Sequence, residues 1–189
     1  MAGMSLLRDN IAECVAVLEG LAALEPAVDR AADLLAGVVR AGGVVTAAGN
    51  GGSAADAMHF MTELVCRFER ERRAFPAICL NASGGDLTAI ANDFTYDAVF
   101  ARQVEAFNGP GSLFVGITTS GKSPNVLAAL HAAKDRGAAT LALLGRDGGD
   151  AAGVADVELC VAGPTTARIQ EAHQLLIHTL CGAVERAVG

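Results

Sequence analysis

Tryptophan is absent from this 189-residue sequence and tyrosine occurs once, at Tyr96. Aromatic residues make up only 4% of the chain, so its core must be built from aliphatic and small side chains packed closely. A basic excess is also missing: 14 Lys and Arg stand against 21 Asp and Glu, a net charge of −7. That balance argues against nucleic acid as the main partner, because a phosphate backbone needs a basic footprint. No apolar run is long enough to span a membrane, and Asp9 and Glu13 interrupt the N-terminus where a secretory signal would be apolar. No C-x-x-C pair occurs. Cys14, Cys66, Cys79, Cys160 and Cys181 are odd in number and widely spaced, which points to buried reduced thiols of a cytoplasmic protein rather than disulfides or a zinc knuckle. Internal repeats, low-complexity tracts and long linkers are lacking as well. What remains is a chain that is 52% apolar and of a length that suits one domain with a helical extension.

Two helices are expected first. Met4 to Gly20 is amphipathic, with Leu6, Leu7, Ile11, Cys14, Val15 and Leu18 inward, and Pro26 suits the first turn of a second helix running to about Arg40. Two helices ahead of the first strand are more than one sheet needs, so their spare apolar surface is assigned to a subunit interface. From Gly43 onward, short apolar strands alternate with helical patterns. The strands are Val44–Ala48, Ala77–Leu80, Leu113–Thr118, Ala139–Leu144 and Asp156–Val161. The helices include Ser53 to about Arg70, Pro124–Arg136 and Thr166–Ala187. This alternation predicts an α/β fold: a three-layer αβα sandwich around a doubly wound, five-stranded parallel sheet, with an N-terminal helical extension. In such sheets ligands bind beyond the carboxyl ends of the strands.

The polar residues gather where that rule wants them. Gly49-Asn50-Gly51-Gly52-Ser53 forms a strand-to-helix turn whose exposed N–H groups, at the positive end of a helix dipole, can receive an anion or a polar sugar. The following helix carries His59 and Glu63 four residues apart, hence on one face. A second polar region ends in Asn92 and Asp93, which can close a helix and offer hydrogen bonds. The third, Thr118-Thr119-Ser120-Gly121-Lys122-Ser123-Pro124-Asn125, is the best phosphate cradle, with hydroxyls, a turn glycine and a proline that opens a helix. It is read as a seat for a small phosphorylated metabolite rather than as a Walker A nucleotide loop, and no G-x-G-x-x-G occurs. On the last helix Gln170, Gln174 and His178 recur every four residues. Each feature has a plainer reading: Glu63 paired with Arg67, Thr119, Ser120 and Ser123 capping a helix, Gln170 as an interface glutamine, and His131 and His173 as structural residues.

Taken together, Gly-Asn-Gly-Gly-Ser at 49–53, His59-Phe60-x-x-Glu63-Leu64, Ala91-Asn92-Asp93-Phe94, Thr119-Ser120-Gly121-x-Ser123 and Ala167-Arg168-Ile169-Gln170-Glu171 with His178 resemble the sedoheptulose 7-phosphate (phosphoheptose) isomerases. These belong to the sugar-isomerase (SIS) domain proteins, and the likeness covers nearly the whole chain in order. It implies a flavodoxin-like SIS domain over residues 42–189, with residues 1–41 as an oligomerisation extension. It further implies a cytoplasmic homotetramer that converts D-sedoheptulose 7-phosphate to D-glycero-D-manno-heptose 7-phosphate, the first step toward activated heptoses for surface glycans. The same resemblance implies one zinc ion per subunit on His59, Glu63, Gln170 and His178. Asn50, Gly51, Gly52, Ser53, Glu63, Asn92, Asp93 and Gln170 would face the sugar, and Thr118, Thr119, Ser120 and Ser123 the phosphate. A non-catalytic SIS protein that binds the bacterial replication initiator is the alternative, but it resembles this chain without the counterparts of Glu63 and His178.

Moving a proton from C1 to C2 of a ketose needs a base, a group that shuttles a proton between the two oxygens, and a means of stabilising the enediolate. Glu63 is assigned as the base and His178 as the acid–base group at the oxygens. Gln170 and His178 are eight residues apart, a rise of ~12 Å on one helix, so active sites are expected at subunit boundaries.

Overall fold

The computed structural model describes residues 5–189. In chain order these form α1 (Leu6–Gly20), α2 (Glu25–Arg40), β1 (Val45–Gly49), α3 (Gly52–Val65), β2 (Ala77–Cys79) and α4 (Gly84–Asp93). Then come α5 (Ala101–Phe107), β3 (Leu113–Thr118), α6 (Pro124–Asp135), β4 (Ala139–Gly145), β5 (Val157–Val161) and α7 (Thr166–Val188). The strands lie in the order β2-β1-β3-β4-β5, and every neighbouring pair is parallel.

Strand residues alternate between two cores, as the pleat requires. Val45, Ala47, Leu113, Val115, Ile117, Leu141 and Leu143 point to one face, covered by α2, α3 and α7. Ala48, Phe114, Ala142 and Leu144 point to the other, covered by α5 and α6. The expected three-layer, doubly wound sheet is therefore present. Chain winding reverses at β1, which has β2 on one side and β3 on the other. Gly49 sits level with Ile117, so the loops after β1 and β3 open side by side at the carboxyl edge of the sheet.

Local chemistry accounts for most element boundaries. Pro26 stands in the first turn of α2 as expected, with Arg40 in its last turn. Ser83 caps α4 by accepting from the N–H of Asp86, and Thr165 caps α7 by accepting from that of Arg168. Strand limits differ from expectation by a residue at most. The five cysteines form no disulfide. Only Cys181 is buried, and Cys66 is exposed, which corrects the expectation that all are buried.

Two helices depart from their expected form. Met4, where α1 was expected to begin, lies outside the described residues. Within α1 the face turned inward is that of Val17, with Cys14 and Leu18 half-buried, while Asn10 receives the guanidinium of Arg168 on α7. Leu6, Leu7, Ile11 and Val15 stay exposed, at 76%, 68%, 53% and 47%. The apolar stripe is thus real but points away from the chain's own core. The second departure is α3, which stops at Val65 instead of Arg70 and leaves Met58 and Val65 exposed. Its end is fixed from outside. The Arg72 guanidinium donates to the carbonyls of Glu63 (2.6 Å) and Leu64 (2.9 Å), satisfying groups that a further helical turn would have used.

Candidate active site

The turn after β1 is shaped by glycine at two points. Gly51 has φ +58°, in the left-handed region, and a Cβ at Gly52 would lie 2.0 Å from Nε2 of Gln170. The missing side chain at 52 lets α7 lay Gln170 against the loop. The N–H groups of Gly51 and Gly52 have no acceptor among the described residues, leaving two donors for a ligand.

From this contact α3 and α7 run together. Gln170 meets Gly52, Gln174 donates to Asp56 (2.6 Å), and the Nε2 atoms of His178 and His59 lie 2.8 Å apart. The polar stripe on α7 is therefore the seam against α3. Behind His59, its Nδ1 stands 3.7 Å from a Glu63 carboxylate oxygen. Glu63, His59 and His178 thus form one contiguous cluster in a single chain, with both proposed acid–base groups touching the same imidazole. Arg67, outside α3, forms no ion pair with Glu63 among the described residues, so the plainer reading of Glu63 is not observed. Gln170 lies two turns earlier, at the glycine loop. Burial pushes the Asp56 carboxyl above its usual range, against the pull of Gln174 and His59, and leaves its Oδ2 without a partner. Buried His173 hydrogen-bonds the Leu144 carbonyl (3.0 Å), and burial lowers its pKa, which suits the structural role expected for it.

The donor types in the cluster suit zinc: two imidazoles whose nitrogens face each other, and a carboxylate beside one of them. Among the described residues no three His, Cys, Asp or Glu side chains converge on one point as they stand; His59 and His178 do so as a pair.

At the back of the seam Phe68 stacks on His178, with ring centroids 5.5 Å apart and planes at 27°. The segment that carries it is gripped by Glu185 of α7. That carboxylate accepts the N–H groups of Phe68, Glu69 and Arg70 at 2.8–2.9 Å and pairs with the Arg72 guanidinium at 3.0 Å. Burial alone would raise the Glu185 pKa. The three amides and the guanidinium outweigh it and hold the carboxyl at about 2.

The loop after β3 is arranged differently. Thr118 Oγ1 lies 3.0 Å from Ser123 Oγ and 3.4 Å from Ser120 Oγ. Ser123 occupies the N-cap position of α6 without capping it, and Asn125 accepts from Val126 N–H instead. The N–H groups of Ser120, Gly121, Ser123 and Asn125 find no acceptor among the described residues, so hydroxyls and amide donors of the kind an anion needs are gathered in one loop. Thr119 is half-buried within the same loop and Lys122 is exposed. Residues Gly116 to Ser123 do spell G-x-x-x-x-G-K-S, the Walker A pattern. Gly116, however, is inside β3, paired with Ala48 and Ala142, so only Thr119–Ser123 are left as loop, too few to wrap a nucleotide's phosphates.

Asn92 and Asp93 close α4, exposed and bonded to each other (2.8 Å). Thr88 to Asp93 is thus helix. The residue of this region that reaches the glycine loop is Tyr96, whose hydroxyl donates to Asn50 (3.1 Å). Asn50 and Asn125 exchange amide hydrogen bonds at 2.8 and 2.9 Å, tying the glycine loop to the phosphate loop. Sequence reasoning gave Tyr96 no role and placed Asn125 only at the end of the phosphate cradle, without its link to Asn50. The lone tyrosine a few residues after an Asn-Asp pair was the available signal.

With this geometry established, the known proteins it matches are informative. The SIS domain family model matches residues 10–145. A phosphoheptose isomerase of Geobacter sp. (strain M21) is 49% identical over 174 residues, 92% of this chain and 90% of that protein. The structure of phosphoheptose isomerase GmhA from Neisseria gonorrhoeae superposes with a TM-score of 0.89 at 39% identity, covering 95% of this chain and 97% of its own. A phosphoheptose isomerase from Francisella tularensis gives 0.92 at 34%, covering 97% and 100%. Relatives this similar, matched over nearly their whole length, place the protein in the phosphoheptose isomerase family of SIS-domain proteins.

Proposed function

We propose that the protein is an aldose–ketose isomerase that converts D-sedoheptulose 7-phosphate to D-glycero-D-manno-heptose 7-phosphate. The relatives carry isomerase names and lend nothing to the alternative of a replication-initiator-binding protein. Within the chain, two observations carry the reading: the Glu63–His59–His178 cluster, two turns along the α3–α7 seam from the glycine loop, and the unpaired amide donors of the loops after β1 and β3.

In this reading the phosphate is held by Thr118, Thr119, Ser120 and Ser123 with the free amides of their loop. The sugar lies across the glycine loop against Asn50, Gly51, Gly52, Ser53 and Gln170. Glu63 removes the C1 proton and returns it at C2, and His178 carries the proton between O1 and O2. The loops, brought to the cluster where subunits meet, exclude bulk water and hold the reacting carbons near the base. Asn92 and Asp93, away from the cluster in one chain, take sugar hydroxyls where subunits meet. Zinc held by His59, Glu63, Gln170 and His178 would supply Lewis-acid stabilisation of the enediolate oxygens.

The exposed Leu6, Leu7, Ile11 and Val15 stripe supports a helical subunit interface. The assembly in this reading is a cytoplasmic homotetramer with active sites at its subunit boundaries. The test is incubation of the purified protein with sedoheptulose 7-phosphate before and after chelation. Formation of the aldose, lost with chelator and restored by zinc, is expected; no aldose with zinc restored refutes the reading.

A further inference from the structure

The Arg72–Glu185 pair is a buried ion pair, its side chains 2% and 1% exposed, which the reaction itself does not use. Removing two charges from water is costly, and such a pair is justified only where its remaining hydrogen-bonding capacity is filled. Here it is filled entirely by backbone next to the cluster. Arg72 holds the carbonyl of Glu63 itself, together with those of Leu64 and Arg73. Glu185 holds the three amides that begin at Phe68, whose ring lies on His178. Glu185 also sits on α7 seven residues beyond His178. One pair thus grips the end of the helix that presents Glu63 and the ring that backs His178.

We propose that Arg72 and Glu185 are positioning residues of the isomerase, and that they act through Phe68 by fixing the plane of the His178 imidazole relative to His59 and Glu63. The kinetic part of this inference rests on the isomerase reading; its structural part does not. Phe68→Leu tests it with the least damage, since the clasp holds the backbone at 68 and leaves the side chain free to be changed. In F68L, kcat is expected to fall about 10- to 100-fold while KM holds, as for lost supports of ligating histidines, and F68Y, which restores an aromatic face, is expected to recover it.

The readout independent of turnover is the NMR signal of the His178 ring in histidine-labelled protein. Its protons lie under an aromatic face and are expected to move downfield in F68L, to return in F68Y, and to move in E185Q measured well below its unfolding temperature. Unmoved His178 resonances in F68L, or F68L with wild-type kcat, overturn the proposal. If the wild-type chain fails to convert sedoheptulose 7-phosphate, the isomerase reading falls, and the resonances alone decide the positioning.

Discussion

Two polar regions, the α3–α7 seam that runs from the glycine loop back along the sheet and the loop after β3, differ in how far their hydrogen bonding is complete. Along the α3–α7 seam most polar side chains have a partner within the chain: Gln174 on Asp56, His178 on His59, Arg72 on Glu185 and three backbone carbonyls. One Asp56 oxygen and the Glu63 and Gln170 side chains have no hydrogen bond among the described residues. In the loop after β3 four amides have none, and the hydroxyls bond chiefly to one another. A satisfied network fixes its side chains before any ligand arrives, which acid–base groups require. A loop with spare donors is unfinished without an anion, which is what a phosphate site requires. The difference predicts that damage to the seam lowers turnover at Glu63 and His178 and stability at the Arg72–Glu185 pair, whereas damage to the loop weakens binding.

The largest effect is expected from Glu63→Gln and His178→Ala. Loss of a positioned acid or base costs about 10²- to 10⁴-fold in kcat, with the thermal transition unchanged. A rise in KM with kcat unchanged would move these residues from the seam's chemistry to binding. Next in size is Glu185→Gln. Removing one partner of a buried pair costs about 3–5 kcal/mol, read by urea denaturation. Because folding lowers the Glu185 pKa from 4.5 to about 2, its contribution is fully present above 4.5 and is lost as pH falls through that window. Wild-type stability is expected to decline there, and the variant's to decline less.

Much of this comparison was legible in the sequence, and what was not has a common cause. The sheet, its order of elements and the two loops follow from alternating short apolar runs and from glycine, serine and threonine at their ends. The four-residue spacing of Gln170, Gln174 and His178 gave the seam. The end of α3 was not legible because its determinants, Arg72 and above all Glu185, come from beyond the helix, and no local signal at Val65 marks a stop. The direction of the α1 stripe was missed because amphipathicity identifies an apolar face without saying which surface covers it. The links made by Tyr96 and Asn125 escaped notice because each acts through Asn50, a contact that only the parallel β1–β3 pairing creates.

Smaller effects sharpen the other half of the comparison. Ser123→Ala removes one hydroxyl from the loop, and a hydrogen bond to a charged group contributes about 1.5–3 kcal/mol, so KM is expected to rise roughly tenfold or more with kcat little changed. Ligand-linked stabilisation is of the same order. Inorganic phosphate at 100 times its dissociation constant adds about 2.7 kcal/mol, read as a rise in unfolding temperature that Ser123→Ala diminishes. A seam variant such as Glu63→Gln should retain that rise in full.

Proton exchange at C1 of the substrate bears most directly on whether carboxylate and imidazole serve one reaction. Sedoheptulose 7-phosphate is incubated with zinc-supplemented protein in deuterated water and its C1 signals are followed by NMR. The wild-type chain is expected to introduce deuterium at C1, and Glu63→Gln, equally folded and equally able to bind phosphate, to introduce none. Undiminished exchange in that variant would contradict the assignment of Glu63 as the base and, with it, the reading of the α3–α7 seam as a catalytic centre.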